Sequence, residues 1–234
     1  MSAHRVALVT GVGPGLGAAL ARRFARGGFA LGLVARHADY IEKLAREIST
    51  AGGKAFAVRA DVSNAAAAEA AVTKVRKELG VIDVLLHNAS SSSGDGLLKT
   101  TPKQFESSWR VAALGGFVCA RATAPDMIAA GEGAMIFTGA TSSVRGGGWL
   151  AFSSAKFALR GLVQSLAREL WPQGVHVAHV VVDGVIGAGE EVSLNEPLLD
   201  PDQMAEAYWH VAGQERSAWT LELDLRPHRE KFFE

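Results

Sequence analysis

The chain has 234 residues, 48% of them hydrophobic, which suits one large domain with a buried core and excludes a mini-protein. Lysine plus arginine and aspartate plus glutamate both number 24, so the net charge is +0 and no electrostatic footprint for nucleic acid or an anionic membrane is expected. The single cysteine, Cys119, excludes an intrachain disulfide and reads as a small buried apolar residue.

The opening MSAHRVALVTG runs straight into an apolar strand-like segment, without a basic region followed by a long apolar one. Secretion is not expected. No apolar run reaches the length of a membrane span, so a cytoplasmic protein is expected. Val6–Val9 reads as a short apolar strand. Gly15–Arg26 then sets Leu16, Ala19, Leu20 and Phe24 at helical spacing, with Arg22, Arg23 and Arg26 near the end, where cations suit the helix dipole. Ala30–Val34 predicts a second strand, and Asp39–Ala51 an amphipathic helix ended by Gly52–Gly53. Lys54–Val58, Ala65–Leu79 and Val81–Leu86 predict strand, helix, strand. A long helix follows from Pro102 to Ala130, a strand over Ala134–Thr138, a second long helix over Leu150–Leu170 and a very apolar strand over Val175–Val182. Gln203–Gln214 reads as a helix and Ala218–Leu225 as a last edge strand. Strands alternating with helices imply right-handed βαβ units. The expected fold class is α/β, a doubly wound parallel sheet flanked by helices in a single domain, 1–234. The least regular part, Gly184–Pro201, reads as a loop or lid over the strand ends.

Thr10–Gly11–Val12–Gly13–Pro14–Gly15–Leu16–Gly17 follows the first strand and opens the first helix. Glycines there allow a tight turn and close backbone approach, and the helix N-terminus offers free N–H groups to a pyrophosphate. A ligand-free tight turn is the plainer reading, but four glycines in seven residues exceed what a turn needs. The spacing is T-G-x-x-x-G-x-G rather than G-x-G-x-x-G.

This turn, together with Ala60–Asp61–Val62, His87–Asn88–Ala89–Ser90 and Phe152–Ser153–Ser154–Ala155–Lys156, resembles the short-chain dehydrogenase/reductase family. The likeness covers nearly the whole chain in the expected order. It implies a nicotinamide dinucleotide across the carboxyl ends of the strands. Thr10, Gly11, Gly13, Gly15, Leu16 and Gly17 would lie at its phosphates, Asp61 and Val62 at the adenine, Asn88 and Ala89 beside it. Lys156 would hold the ribose, and Val185 and Ile186 would stand at the carboxamide end. His87 and Ser90 depart from the family's N-N-A-G. Asp61 has a second reading, a helix cap ahead of Ala65, for which Ser63 and Asn64 compete.

The second strand ends Val34–Ala35–Arg36–His37. Ala35 stands where NAD enzymes place an acid for the ribose 2′-OH, and Arg36 follows. A guanidinium matches a 2′-phosphate, so NADP(H) is preferred and NAD(H) remains open. Pro14 stands where many NADP members carry a second basic residue.

The resemblance also implies Asn, Ser, Tyr and Lys as the reacting groups. Here the tyrosine position reads Phe152 and only Lys156 is retained. The serine position falls on Ala140 by motif or Gly139 by spacing from Phe152, and the asparagine position on Ala112. Asp183–Gly184 replaces the usual Pro-Gly. Thr141, Ser142, Ser143 and Ser153 are nearby hydroxyls that read first as caps or turn residues, and a water on Lys156 is a further donor. Three functions stay open: an NADP(H)-dependent oxidoreductase on a small carbonyl or alcohol with an atypical proton donor, a catalytically inactive cofactor-holding or pairing subunit, and a non-redox lyase on the same scaffold. His176 and His179 are three apart on a strand and make a poor metal pair. Ser90–Ser93 with Gly94 reads as a flexible loop or substrate rim, and Trp149 and Leu150 as pocket lining or packing. Apolar residues on the two long helices, Leu114, Phe117 and Val118 with Phe157, Leu159, Leu162 and Leu166, predict a homodimer or homotetramer.

Overall fold

The computed structural model describes residues 5–91, 94–187 and 198–230. Strands β1 (Val6–Thr10), β2 (Ala30–Ala35), β3 (Lys54–Arg59), β4 (Val84–His87), β5 (Gly133–Thr138), β6 (Val175–Val182) and β9 (Glu222–Leu225) form one parallel sheet in the order β3-β2-β1-β4-β5-β6-β9. The order runs outward from β1 in one direction, returns, and runs outward in the other, which is the expected doubly wound sheet. Strands β7 (Val185–Ile186) and β8 (Leu198–Leu199) pair separately beyond its carboxyl edge.

Covering helices explain why central strands such as Val-Ala-Leu-Val-Thr are buried at every residue. On one face, α1 (Leu16–Arg26), α2 (Ala38–Thr50) and α8 (Pro201–Ala212) bury Phe24, Ile41 and Tyr208 against the sheet. On the other, α3 (Ala65–Leu79), α6 (Gly115–Ala130) and α7 (Leu150–Leu170) bury Val75, Cys119 and Leu159. Burial pushes the Cys119 thiol up to about 12, which fits an inert packing residue.

Four expectations need correction. Strand β4 begins at Val84 rather than Val81, because the Asp83 carboxylate accepts from Val6 N–H at 2.6 Å and leaves Val81 exposed. The helix expected over Pro102–Ala130 is divided. Helix α5 (Pro102–Trp109) starts at a Thr101–Gln104 capping box, a π-helical turn spans Arg110–Leu114, and α6 follows. That stretch is also long and apolar enough by composition to cross a membrane, against the expectation that none would be, yet Val111, Val118 and Met127 are core residues. Finally, β9 is shorter than Ala218–Leu225, since Thr220 is held by Gln214 ahead of the strand. A short helix, α4 (Gly96–Lys99), was not expected. Most of the irregular stretch Gly184–Pro201, and Ser92 and Ser93, lie outside the described residues.

Candidate active site

The carboxyl ends of β1, β2, β4, β5 and β6 frame a cleft with two connected chambers that share Gly11, Gly13, Asn88 and Ser90. The glycines between them have distinct physical tasks. Gly11 has φ +75°, and a Cβ there would fall 2.5 Å from the Ala89 Cα and N. A Cβ on Gly17 would fall 2.7 Å from the Gly11 carbonyl oxygen. Both are therefore required by the protein's own packing. Gly13 is different: it lines both chambers, and a Cβ there would meet nothing within 4 Å. Gly15 caps α1 without a side-chain hydrogen bond, and no acid occupies that helix's first turn. The positive end of α1 thus faces the cleft uncompensated. Asn88 fixes the turn from β4, its Nδ2 donating to the Gly11 carbonyl at 3.0 Å.

The narrower chamber, about 270 Å³, is lined by Val34, Ala35, Arg36, His37, Ala60, Asp61, Val62 and Ala89 with the shared turn. Arg36 is exposed at its rim. Asn64, not Asp61, caps α3, accepting from Ala67 N–H at 3.0 Å. Asp61 instead accepts from Ser63 N–H at 2.9 Å and stands on the chamber wall.

The wider chamber, about 680 Å³, brings together Gly15, Leu16, Gly17, Thr138, Gly139, Ala140, Thr141, Ser142, Trp149, Phe152, Lys156 and Ile186. Helix α7 presents Phe152 and Lys156 one turn apart on one side. The Lys156 Nζ donates to the Thr138 carbonyl at 2.7 Å and lies 5.4 Å from the centre of the Phe152 ring. Burial pushes this ammonium down to about 8, because the charged form is desolvated. The two alternatives for the serine position separate here. A Cβ on Gly139 would lie 2.2 Å from His179 Nε2, whereas Ala140 lines the chamber with a Cβ already in place. Ala112 lies buried in the π-helical turn.

Three residues singled out in the sequence lie off the chamber walls. Thr10 is not on either wall: its hydroxyl turns into β4 and bonds His87 Nδ1 at 2.8 Å. Val185 points outward, 48% exposed, because its neighbour Ile186 takes the inward position on β7. Leu150 is likewise absent from the chamber that Trp149 lines.

Two groups went unassigned in the sequence. His87 spans from Thr10 to the Ala112 carbonyl, 3.2 Å from its Nε2. Burial and the charge of Lys156 push it down to about 4, so it is neutral, and the tautomer with Nε2–H serves both bonds. The Thr141 hydroxyl donates to the Asp183 carboxylate, which also pairs with Arg226 at 2.9 Å. The only sequence signal for that pair was an acid in place of a proline. His176 and His179 face opposite sides of β6, the first on the Thr220 carbonyl and the second on Glu222. Among the described residues no group of three or more His, Cys, Asp or Glu is placed to hold a metal ion.

Comparison with known proteins fits this architecture. The family model for short chain dehydrogenases matches residues 5–196. A short-chain dehydrogenase/reductase of Armillaria gallica is 36% identical over 182 residues, covering 76% of this chain and 69% of that protein. The crystal structure of a short-chain dehydrogenase from Rhodopseudomonas palustris superposes with a TM-score of 0.85 at 35% identity, covering 97% of this chain and 100% of that one. A metagenomic short-chain oxidoreductase, solved in complex with NADP, gives 0.85 at 30% identity, covering 98% and 100%.

Proposed function

From the premise that the chain belongs to the short-chain dehydrogenase family, we propose that it is an NADP(H)-dependent oxidoreductase interconverting a small apolar carbonyl compound and its alcohol, with a proton donor other than tyrosine. The observation that carries this reading is the continuity of the cleft. One end offers the open Gly13, the uncompensated start of α1 and Arg36; the other offers a buried Lys156 beneath an apolar wall of Phe152, Trp149 and Ile186.

A nicotinamide dinucleotide fits these residues, and its chemistry when bound is to give or take a hydride. Gly11, Gly13, Gly15, Leu16 and Gly17 would hold its phosphates, Asp61 and Val62 its adenine, Asn88 and Ala89 its middle, and Lys156 its far ribose. Arg36, with no acid at Ala35, supports NADP(H) over NAD(H), as does the metagenomic relative solved with NADP. Phe152, Ala140 and Ala112 occupy the family's tyrosine, serine and asparagine positions in this reading. They can fill those places but cannot move a proton.

Pairing into a homodimer or homotetramer belongs to the same proposal. Val118 and Leu159 turn into the core, but Phe117 and Phe157 are exposed, as are Phe105 and Trp109 on α5, which packs beside α7. A cytoplasmic setting accords with a dependence on NADP(H).

The test is direct. NADPH should bind the pure protein, measured by its fluorescence, and be consumed with one or more members of a panel of ketones and aldehydes. Binding without turnover points to a cofactor-holding subunit; absence of binding overturns the cofactor assignment.

A further inference from the structure

We propose that Thr141 and Asp183 form the proton-transfer pair of this site, with Thr141 as the catalytic residue touching the substrate oxygen and Asp183 as a positioning residue acting through it. The proposal rests on the oxidoreductase reading and deepens it.

The placement comes from the sheet. Thr141 opens a short turn just past the carboxyl end of β5, and Asp183 follows the carboxyl end of β6, the next strand over. The Thr141 side stands on the wall of the wide chamber with Phe152 and Lys156. Its hydroxyl donates to Asp183 Oδ1, with the Val182 carbonyl as a long second acceptor at 3.5 Å. With its own proton engaged by Asp183, the hydroxyl oxygen can act towards a ligand only as an acceptor. Asp183 is held for this. Arg226 takes its other oxygen at 2.9 Å, and Arg226 and Asp183 side chains are only 12% and 13% exposed. No helix starts at Asp183, so the carboxylate is not a cap; β7 begins two residues on.

Three other hydroxyls nearby are placed differently. Ser143 accepts from Ala140 N–H at 3.0 Å in the interior. Thr138 bonds the Tyr208 hydroxyl at 2.9 Å. Ser153 is buried with no polar partner and lies off the chamber wall. Among the described residues, Thr141 is the hydroxyl on that wall bonded to a carboxylate. Lys156 is anchored on the Thr138 carbonyl and keeps its ribose-facing task.

In the oxidative direction the alcohol O–H bond breaks and its proton passes to Thr141 Oγ1, while the Thr141 proton passes to Asp183 Oδ1. The carbinol hydrogen and its electron pair would go to an oxidised nicotinamide, the hydride acceptor this cofactor supplies when bound. The carboxylate ends protonated, and solvent resets it. Reduction runs the same path backward and leaves the Asp183 proton on the product oxygen.

Thr141→Val should lower kcat at least about a hundredfold, the lower part of what a positioned acid or base supplies, with NADPH affinity within about twofold of the parent. Thr141→Ser should recover most of the rate. Asp183→Ala should lose turnover and regain part of it with added formate, which Thr141→Val should not. A readout independent of turnover is the Asp183 carboxyl carbon resonance, assigned by its absence in Asp183→Asn. In the NADPH-bound parent it should shift when 2-propanol, which cannot react with the reduced cofactor, fills the chamber, and it should stay unmoved in Thr141→Val. Undiminished turnover in Thr141→Val, or a carboxyl signal indifferent to 2-propanol in the parent, overturns the pair and leaves the oxidoreductase reading intact. A parent that consumes no NADPH with any carbonyl overturns both. Should Thr141→Val fail to fold, Asp183→Asn and the resonance in the parent decide.

Discussion

The two ends of the cleft are built from different materials. At the phosphate end the working parts are backbone: Gly11 sits against Ala89, and Gly17 sits against Gly11. A side chain on either would strike main chain, so the fold itself enforces these two glycines. In the wider chamber the wall is made of side chains from α7, the end of β5 and the turn that follows it. Phe152 and Ala140 stand there beside Lys156, while Ala112 lies buried in the π-helical turn. A site made from backbone is policed by sterics, whereas one made from side chains can be rewritten while the scaffold stays intact.

The largest effect expected breaks this contrast at its root. Gly11→Ala should abolish measurable NADPH binding and lower stability on denaturant unfolding by about 2–4 kcal/mol, since positive-φ strain and overpacking each cost roughly 1–3 kcal/mol. Gly13→Ala should leave stability within about 0.5 kcal/mol, as befits an unobstructed position, while weakening NADPH binding about tenfold. Equal stability losses in the two variants would contradict the division of tasks.

Next in size is Arg36→Asp. Exchanging a cation for an anion at the narrow chamber should weaken NADPH relative to NADH by roughly tenfold to a hundredfold, the scale of one charge-assisted bond. Equal affinities for both cofactors in the parent protein would remove the basis for that assignment. At the other end, Phe152→Tyr with Ala140→Ser should raise carbonyl reduction about tenfold, a modest part of what a general acid gives. Gly139→Ser should not, because its side chain must displace the His179 imidazole. A faster Gly139→Ser enzyme would reverse that choice of register.

The smallest expected effect concerns Lys156, whose ammonium is held down to about 8 by burial. Below that pH the charge is present and can donate to the ribose; as pH rises through it the charge is lost. NADPH affinity should therefore decline up to about tenfold between neutral and alkaline pH. Lys156→Met should bind more weakly throughout and show a flat profile.

The same division governs what could be read beforehand. The alternation of apolar strands and amphipathic helices located the seven-stranded sheet, and the glycine turn announced the phosphate end, because both follow from local pattern. Boundaries moved where a distant partner intervened: Val6 draws Asp83 out of the fourth strand, and Gln214 holds Thr220 short of the last. The break in the helix over Pro102–Ala130 was invisible for a similar reason. Gly115 and Gly116 approach Val62, His87 and Leu159 too closely for a Cβ to sit without adjustment, and those neighbours come from the loop after β3, from β4 and from α7. Thr10 and Val185 were assigned by motif position, but which way a side chain turns depends on the strand beside it. The Thr141–Asp183 bond joins residues 42 apart and has no local signature.

The strand order carries a consequence for synthesis. β1 pairs on one edge with β2, soon after it in sequence, but on the other with β4, where Ala7 meets Val84. On the ribosome the first βαβ units can close while that second edge, Val-Ala-Leu-Val-Thr, is still bare, and a bare apolar strand is a template for pairing with another chain. The nascent protein thus passes through an interval of exposure that ends only when the centre of the sheet arrives. Ribosome-bound chains ending at Ser90, with β3 just clear of the exit tunnel and β4 still inside it, should recruit holding chaperones strongly, and chains extended past Thr138 far less; equal recruitment would show that the early units shield that edge themselves.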